Sequence, residues 1–152
     1  MKKEIEEEAI VSFKSGLNCA QAVFTAYCDE LKFDKNLAAS VSCGFGGGMG
    51  RLQETCGAVT GSLMVLGVYN CRKFTENKER KAATYPMVQK FSEKFKELNG
   101  TTDCIELLNC EIRSEEGHEF AVRNKLFETV CEKCISDAVG IVDELIEEDL
   151  ET

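Results

Sequence analysis

The sequence holds one proline, one histidine and no stretch of alternating polar and apolar residues. A single proline, Pro86, leaves helices almost uninterrupted, and the missing alternation removes the period-two pattern of a half-buried sheet. One histidine, His118, set in the polar segment Glu115 to Glu119, reads as a surface residue and leaves hydrolase chemistry without a base of the usual kind. The longest apolar run, around Leu63 to Val68, is far too short to cross a bilayer. The opening Met-Lys-Lys-Glu-Ile-Glu-Glu-Glu has no apolar core of a signal peptide. Cationic surface is scarce as well: the net charge is −9, with acidic runs at Glu6 to Glu8 and Glu147 to Glu151. That balance argues against nucleic acid and anionic membrane as partners, and the runs read as solvated helix faces. These absences together describe a soluble, cytoplasmic protein with no membrane partner and with mostly reduced thiols.

What the sequence does have is cysteine, at nine of 152 positions. The count is odd, the spacings are irregular, and the density lies below that of a small disulfide scaffold. A chain of this length buries about two thirds of its unfolded surface and needs no disulfide staples. No internal repeat or linker is visible, so residues 1–152 read as one domain.

Apolar periodicity and stop signals predict an all-α bundle of six to seven helices with a glycine-rich loop. The expected helices run from Lys3 to Ser15, Cys19 to Leu31, Asp34 to Gly44, Thr55 to Lys73, and Thr75 to Leu98 with a kink or break before Pro86. A short helix is expected at Cys104 and a last one from Val130 to Asp149, with Glu111 to Phe127 undecided.

On this reading four cysteines fall at helix starts. Cys19 follows Asn18, Cys104 follows Asp103, Cys56 follows the glycine loop, and Cys131 lies inside Thr129-Val130-Cys131-Glu132, which has capping-box form. The first turn of a helix offers unpaired N–H groups and partial positive charge, so thiols there are expected to fall from about 8.5 into roughly 3.5–7.5. Cys28 lies about opposite Cys19 on a helical wheel, and Cys71 lies about 22 Å along the helix from Cys56, so neither shares their site. Cys28, Cys71 and Cys110 read as packed small hydrophobes. Cys131-Glu132-Lys133-Cys134 is a C-x-x-C, suited to a redox dithiol or half a metal site, but without the βαβ setting of a thioredoxin or a second such pair for a zinc ribbon.

The run Gly44-Phe45-Gly46-Gly47-Gly48-Met49-Gly50 lacks the G-K-[ST] of a phosphate loop and has no preceding strand. Backbone that approaches a neighbour closely, or offers N–H groups to sulfur, explains it better; a flexible connection is the plain alternative. Gly57 and Gly61 lie within a helix, at about 1 kcal/mol each relative to alanine, which implies close approach by another helix, in the same chain or in a second subunit.

Cys56-Gly57-Ala58-Val59-Thr60-Gly61, with the glycines upstream, Asn18-Cys19-Ala20-Gln21-Ala22-Val23 before them and Asp103-Cys104-Ile105-Glu106-Leu107-Leu108 after, resembles the redox-active family named for the pattern C…GCAxxG…C…C. The resemblance runs from about Gly16 to Ile146. It implies four site cysteines at Cys19, Cys56, Cys104 and Cys131, with Cys134 competing for the last place, and Gly47, Gly48 and Gly57 beside them as cofactor-binding backbone. The family name records a redox role, not a reaction. A similar pattern occurs in split-Soret cytochromes, but no C-x-x-C-H is present here, so haem is not implied. An iron–sulfur cluster at the four cysteines is consistent with the resemblance. The functions open are thiol–disulfide exchange with a partner protein or small thiol, electron transfer through a cluster, zinc on the same thiolates, or a helical interaction domain whose cysteines only pack.

Overall fold

The computed structural model describes residues 2–152, with side chains from Lys3 onward; Met1, part of the opening read above, lies outside them. Among the described residues the fold is all-α, with nine helices and no strand. The helices are α1 (Lys2–Lys14), α2 (Cys19–Ala26), α3 (Cys28–Leu31), α4 (Lys35–Ser42), α5 (Gly57–Cys71), α6 (Asn77–Asn99), α7 (Cys104–Leu108), α8 (Glu115–Arg123) and α9 (Glu132–Glu151). The count exceeds the six to seven expected because one predicted helix divides and the undecided segment supplies α8.

The centre of the bundle is α2. Every residue of it except Gln21 is buried, and Gln21 completes a capping box: the Asn18 side chain accepts from the Gln21 N–H at 2.9 Å while the Gln21 side chain accepts from the Asn18 N–H at 3.0 Å. The expected helix from Cys19 to Leu31 breaks at Tyr27. That residue is fully buried, its N–H bonds back to Phe24, and its hydroxyl donates to the Asp143 carboxylate on α9 at 2.8 Å. The tether to a distant helix outweighs local propensity, and the chain restarts as α3.

Against α2 packs α5, and the two glycines explain how. A Cβ at Gly61 would stand 2.7 Å from the Ala20 carbonyl oxygen, and one at Gly57 would stand 3.0 Å from the Ala20 nitrogen and the Cys19 Cβ. The close neighbour expected of these glycines is therefore α2 of the same chain, so they give no support to a second subunit. Flanking this pair are α1 and α4 on the α2 side, and α6 and α9 on the α5 side. α6 passes through Pro86 without the break considered above. Its buried Met87, Phe91 and Phe95 recur every four residues on the core, and that burial offsets the roughly 3 kcal/mol of an internal proline. The predicted stripe on the last helix is buried as expected at Ile135, Ala138, Val142 and Leu145.

A second, smaller hydrophobic cluster of Cys104, Leu108, Ile112 and Ala121 joins α7 and α8 at one end of the bundle. Val130 and Cys131 pack against both clusters, which puts them on the seam between the two.

Candidate redox site

At that seam lies a cavity of about 410 Å³, and six of the nine cysteines line it: Cys19, Cys43, Cys56, Cys104, Cys131 and Cys134. All four predicted site cysteines are among them, together with the competing Cys134, and Gly47, Gly48 and Gly57 line it too. Cys28 is buried elsewhere, its thiol donating to the Phe24 carbonyl, and Cys110 donates to the Gly117 carbonyl. Cys71 is also remote, but it is exposed, not packed as expected, because α5 ends there and turns its last residue to solvent.

Three different devices place the thiols. Cys19 opens α2 behind the Asn18 cap. Cys56 and Cys104 are held side by side by a short antiparallel bridge between Thr55 and Asp103, in which the Cys56 N–H donates to the Thr102 carbonyl at 2.8 Å and the Cys104 N–H to the Glu54 carbonyl at 2.7 Å. Cys131 and Cys134 come from α9 and the turn that leads into it.

Cys131 corrects the helix-start reading. It is the last residue of a π-helical turn, Phe127–Cys131, that runs directly into α9. The capping box does not form: the Thr129 hydroxyl donates to the Lys125 carbonyl four residues back, as within a continuous helix. Asp103, before Cys104, makes no side-chain cap either.

The glycine run is a left-handed turn. Gly47, Gly48, Met49, Gly50 and Arg51 all have φ between 60° and 68°, and the Gln53 and Glu54 N–H groups close it on the Gly47 and Gly48 carbonyls at 3.1 and 2.9 Å. Gly48 is needed twice over, because its Cβ would stand 2.6 Å from that of Cys104. The flexible-connection reading fails: this backbone is bonded and packed.

Gln53, which the sequence reading passed over, fastens the turn. Only 5% exposed, it donates through Nε2 to the Cys110 carbonyl and accepts at Oε1 from the Ile112 N–H, both at 2.8 Å, and its amide also reaches the Cys104 thiol. Cys43 was passed over as well: it sits on the rim, exposed, its carbonyl accepting from the Asn18 side chain. His118 is half-buried and lines the cavity with its ring 5.5 Å from that of Phe127, so it is not the plain surface residue expected. No signal short of the folded packing would have found these three, since Gln, a lone Cys and a lone His in polar surroundings carry no spacing pattern.

Thiols face one another across the cavity. Cys19 meets Cys131, and Cys56 meets Cys134. The C-x-x-C is thus split between two pairs. Cys56 is pulled below the ordinary thiol range by its interaction with Cys134 and by the Ala58 and Val59 N–H groups at the start of α5, which point at the sulfur but fall short of a full cap hydrogen bond. Here the direction agrees with the helix-start expectation, but the facing Cys134 contributes more to it than the helix end does. Elsewhere it is overturned: Cys19 is raised by its interaction with Cys131 and by burial, and Cys104 is pushed up to about 12 by burial and by the nearby Cys56 and Cys131. Cys134 is raised by Cys56 and by burial. Desolvation and neighbouring thiolates outweigh a helix terminus once the sulfur leaves water. The arrangement sets one thiol lowered towards thiolate, Cys56, beside the raised thiols of Cys19, Cys104 and Cys134. Among the described residues no three His, Cys, Asp or Glu side chains converge closely enough to hold a metal ion, and no helix is long and apolar enough to cross a membrane.

Comparison with known proteins gives a consistent result. A family model described as "Putative redox-active protein (C_GCAxxG_C_C)" matches residues 17–145. A protein of Archaeoglobus fulgidus, described only as uncharacterized, is 31% identical over 97 residues, covering 59% of this chain and 64% of that one. No solved structure matches. With the match spanning all six cysteines of the cavity, this chain belongs to the C_GCAxxG_C_C family.

Proposed function

We propose that this protein is a thiol oxidoreductase in which Cys56 and Cys134 form the reacting pair, with residues 1–152 acting as one such domain in a reducing compartment. The observation that carries the reading is the placement of that pair: Cys56 meets Cys134 in the cavity and heads α5 with the Ala58 and Val59 N–H groups aimed at its sulfur, which lowers the one thiol towards thiolate and leaves the other as its waiting partner. Exchange needs this division, since the attacking sulfur must be ionised while its partner waits as a thiol. The Cys56 thiolate attacks one sulfur of a disulfide, forms a mixed disulfide and expels the other half as a thiolate. Cys134 then gives up its proton and attacks the Cys56 sulfur, closing a Cys56–Cys134 disulfide and releasing the second half as a thiol. The incoming disulfide gains two electrons and the protein pair loses two. Cys19 and Cys131 form a second facing pair able to accept the bond by further exchange, and Cys104 lies near enough to Cys56 and Cys131 to be raised by both.

The test is titration of the reduced protein in thiol–disulfide buffers, with the linkages mapped by mass spectrometry. A reversible Cys56–Cys134 disulfide is expected, abolished in Cys56→Ser and retained in Cys28→Ser. Equal loss in both variants would refute the assignment.

A second reading is favoured by the cavity, which gathers Cys19, Cys56, Cys104, Cys131 and Cys134 around one space of about 410 Å³. Four of its thiolates, Cys19, Cys56, Cys104 and either Cys131 or Cys134, could hold an iron–sulfur cluster, with Gly47, Gly48 and Gly57 leaving it room. Such a group would supply single-electron transfer. The donor set suits it better than zinc, which needs ligands converging on one point. Anaerobic purification with iron, acid-labile sulfide and a visible spectrum decides between them. Matching iron and sulfide with absorption that bleaches on reduction would replace exchange by electron transfer.

A further inference from the structure

The mouth of the cavity has an unexpected charge. The chain carries 27 acidic residues against 18 basic ones, yet no carboxylate lines this cavity. Among the described residues its only polar side chains apart from the thiols are Asn18, Arg51 and His118. The Asn18 amide is committed, donating to the Cys43 carbonyl and accepting from the Gln21 N–H. Arg51 is not. It makes no ion pair or side-chain hydrogen bond among the described residues, although Glu54, Asp103 and Glu111 line the open cleft on its other side.

Its backbone points the same way. Arg51 is held at φ 66° at the end of the left-handed turn, a conformation that glycine adopts freely and other residues only at a cost of roughly 1–2 kcal/mol. Its stem lies across Gly47, where a Cβ would stand 2.8 Å from the Arg51 Cγ, and this carries the side chain over the turn beside the cavity. The glycine is thus what allows an arginine to reach the rim. A strained, unpaired guanidinium next to a reactive thiol is suited to reading an anionic group on an incoming molecule.

Resting on the exchange reading above, we propose that the site takes small anionic disulfides, with Arg51 binding the carboxylate or comparable anion while one disulfide sulfur reaches Cys56. Small size follows from burial. Cys56 is only 6% exposed, so a folded protein surface cannot bring its own disulfide onto that sulfur, whereas the cavity admits a small molecule. Anionic character follows from the lining. The net charge of the whole chain would disfavour anions at a distance, but beyond about 8–10 Å that field is screened at physiological salt, and the contact charge of Arg51 decides. Arg51→Gln keeps the backbone conformation and a polar side chain while removing the charge and the guanidinium donors.

The experiment uses reduced full-length protein and three small disulfides of similar size: dithiodipropionate (anionic), hydroxyethyl disulfide (neutral) and cystamine (cationic). In the Cys134→Ser background the partner that resolves the mixed disulfide on Cys56 is gone, and peptide mapping by mass spectrometry after an acid quench reads the added half on Cys56 apart from adducts on the exposed Cys43 and Cys71. With each rate divided by that of the same disulfide with a free thiolate in solution, which removes the leaving-group differences, the expected order at physiological salt is anionic over neutral over cationic, with an anionic-to-cationic ratio of about tenfold or more. Arg51→Gln should collapse that ratio to near one, and Arg51→Glu should invert it. Reaction with all three disulfides at similar rates, or a preference for cystamine, would overturn the anion assignment and leave exchange standing. No adduct on Cys56 in the Cys134→Ser protein and no Cys56–Cys134 disulfide in the wild type with any of them would overturn both, so the two failures are distinguishable.

Discussion

The contact between α2 and α5 predicts opposite effects for the same substitution at two positions of one helix. Gly61→Ala adds a methyl group whose carbon would stand 2.7 Å from the Ala20 carbonyl oxygen and 3.0 Å from the Ala20 Cα. Both are backbone atoms of a buried helix, so neither can swing aside as a side-chain end would. Overpacking of this kind costs about 1–3 kcal/mol, and the backbone contact places this site near the upper end. Alanine regains about 1 kcal/mol of helix propensity, which leaves a net loss of about 2 kcal/mol. Gly67→Ala, six residues along the same helix, meets nothing within 4 Å and should be stabilising by up to about 1 kcal/mol. At about 2–4 °C per kcal/mol for a chain of this size, the two variants should melt roughly 6–12 °C apart, with wild type between them. Calorimetry or urea unfolding of the reduced proteins measures this directly. The same wedge at Gly61 pushes α2 away from α5, and with it Cys19 from the Cys56 side of the cavity, so the disulfide map of Gly61→Ala should change as well. A Gly61→Ala protein as stable as wild type, or two variants shifted in the same direction, would show that the helix contact is not the one described.

The thiols give two further tests. Alkylation followed residue by residue should find Cys56 reacting at lower pH than an ordinary thiol of about 8.5, and Cys104 unreactive until far above it, because its thiol is pushed up to about 12; profiles that both track about 8.5 would refute the electrostatic account. Stability should fall on the alkaline side, since Cys28 and Cys104, raised to about 11 and about 12, stay protonated when folded but ionise above about 8.5 when unfolded. Each such group contributes up to about 1.4 kcal/mol per pH unit in that window, Cys56 acts in the opposite sense at lower pH, and urea midpoints between about pH 8 and about pH 10 check the sign. A flat profile would contradict it. Gln53→Leu leaves the Ile112 N–H and the Cys110 carbonyl without their partners, which at about 1–3 kcal/mol per buried group predicts a loss of at least about 2 kcal/mol and faster exchange of the Ile112 amide. Unchanged protection at Ile112 would show that Gln53 does not hold the turn.

Much of this was legible in the chain because it depends on local signals. Helix periodicity and the absence of strand patterning follow from residues three and four apart, and they fixed the all-α class and most helix bounds. The cysteines worth singling out were readable from Asn18, the glycine run and the C-x-x-C, because spacing along one helix turn is short-range information. Even the close approach at Gly57 and Gly61 was visible, as glycine inside a helix signals a neighbour without naming it.

What the neighbour is, and what it does to a thiol, depended on contacts between residues far apart in the chain. Tyr27 breaks its helix for a carboxylate more than a hundred residues away, and Pro86 is tolerated because three aromatic and thioether side chains after it find the core. The chain alone placed Cys19 and Cys104 at helix starts and assigned them low pKa values. Folding then buried both beside other thiols, and desolvation with like charge reversed the direction. Local sequence determines which groups a helix end presents; only the tertiary structure determines how much water and how many neighbouring charges remain around them, and those decide in which direction each thiol is moved.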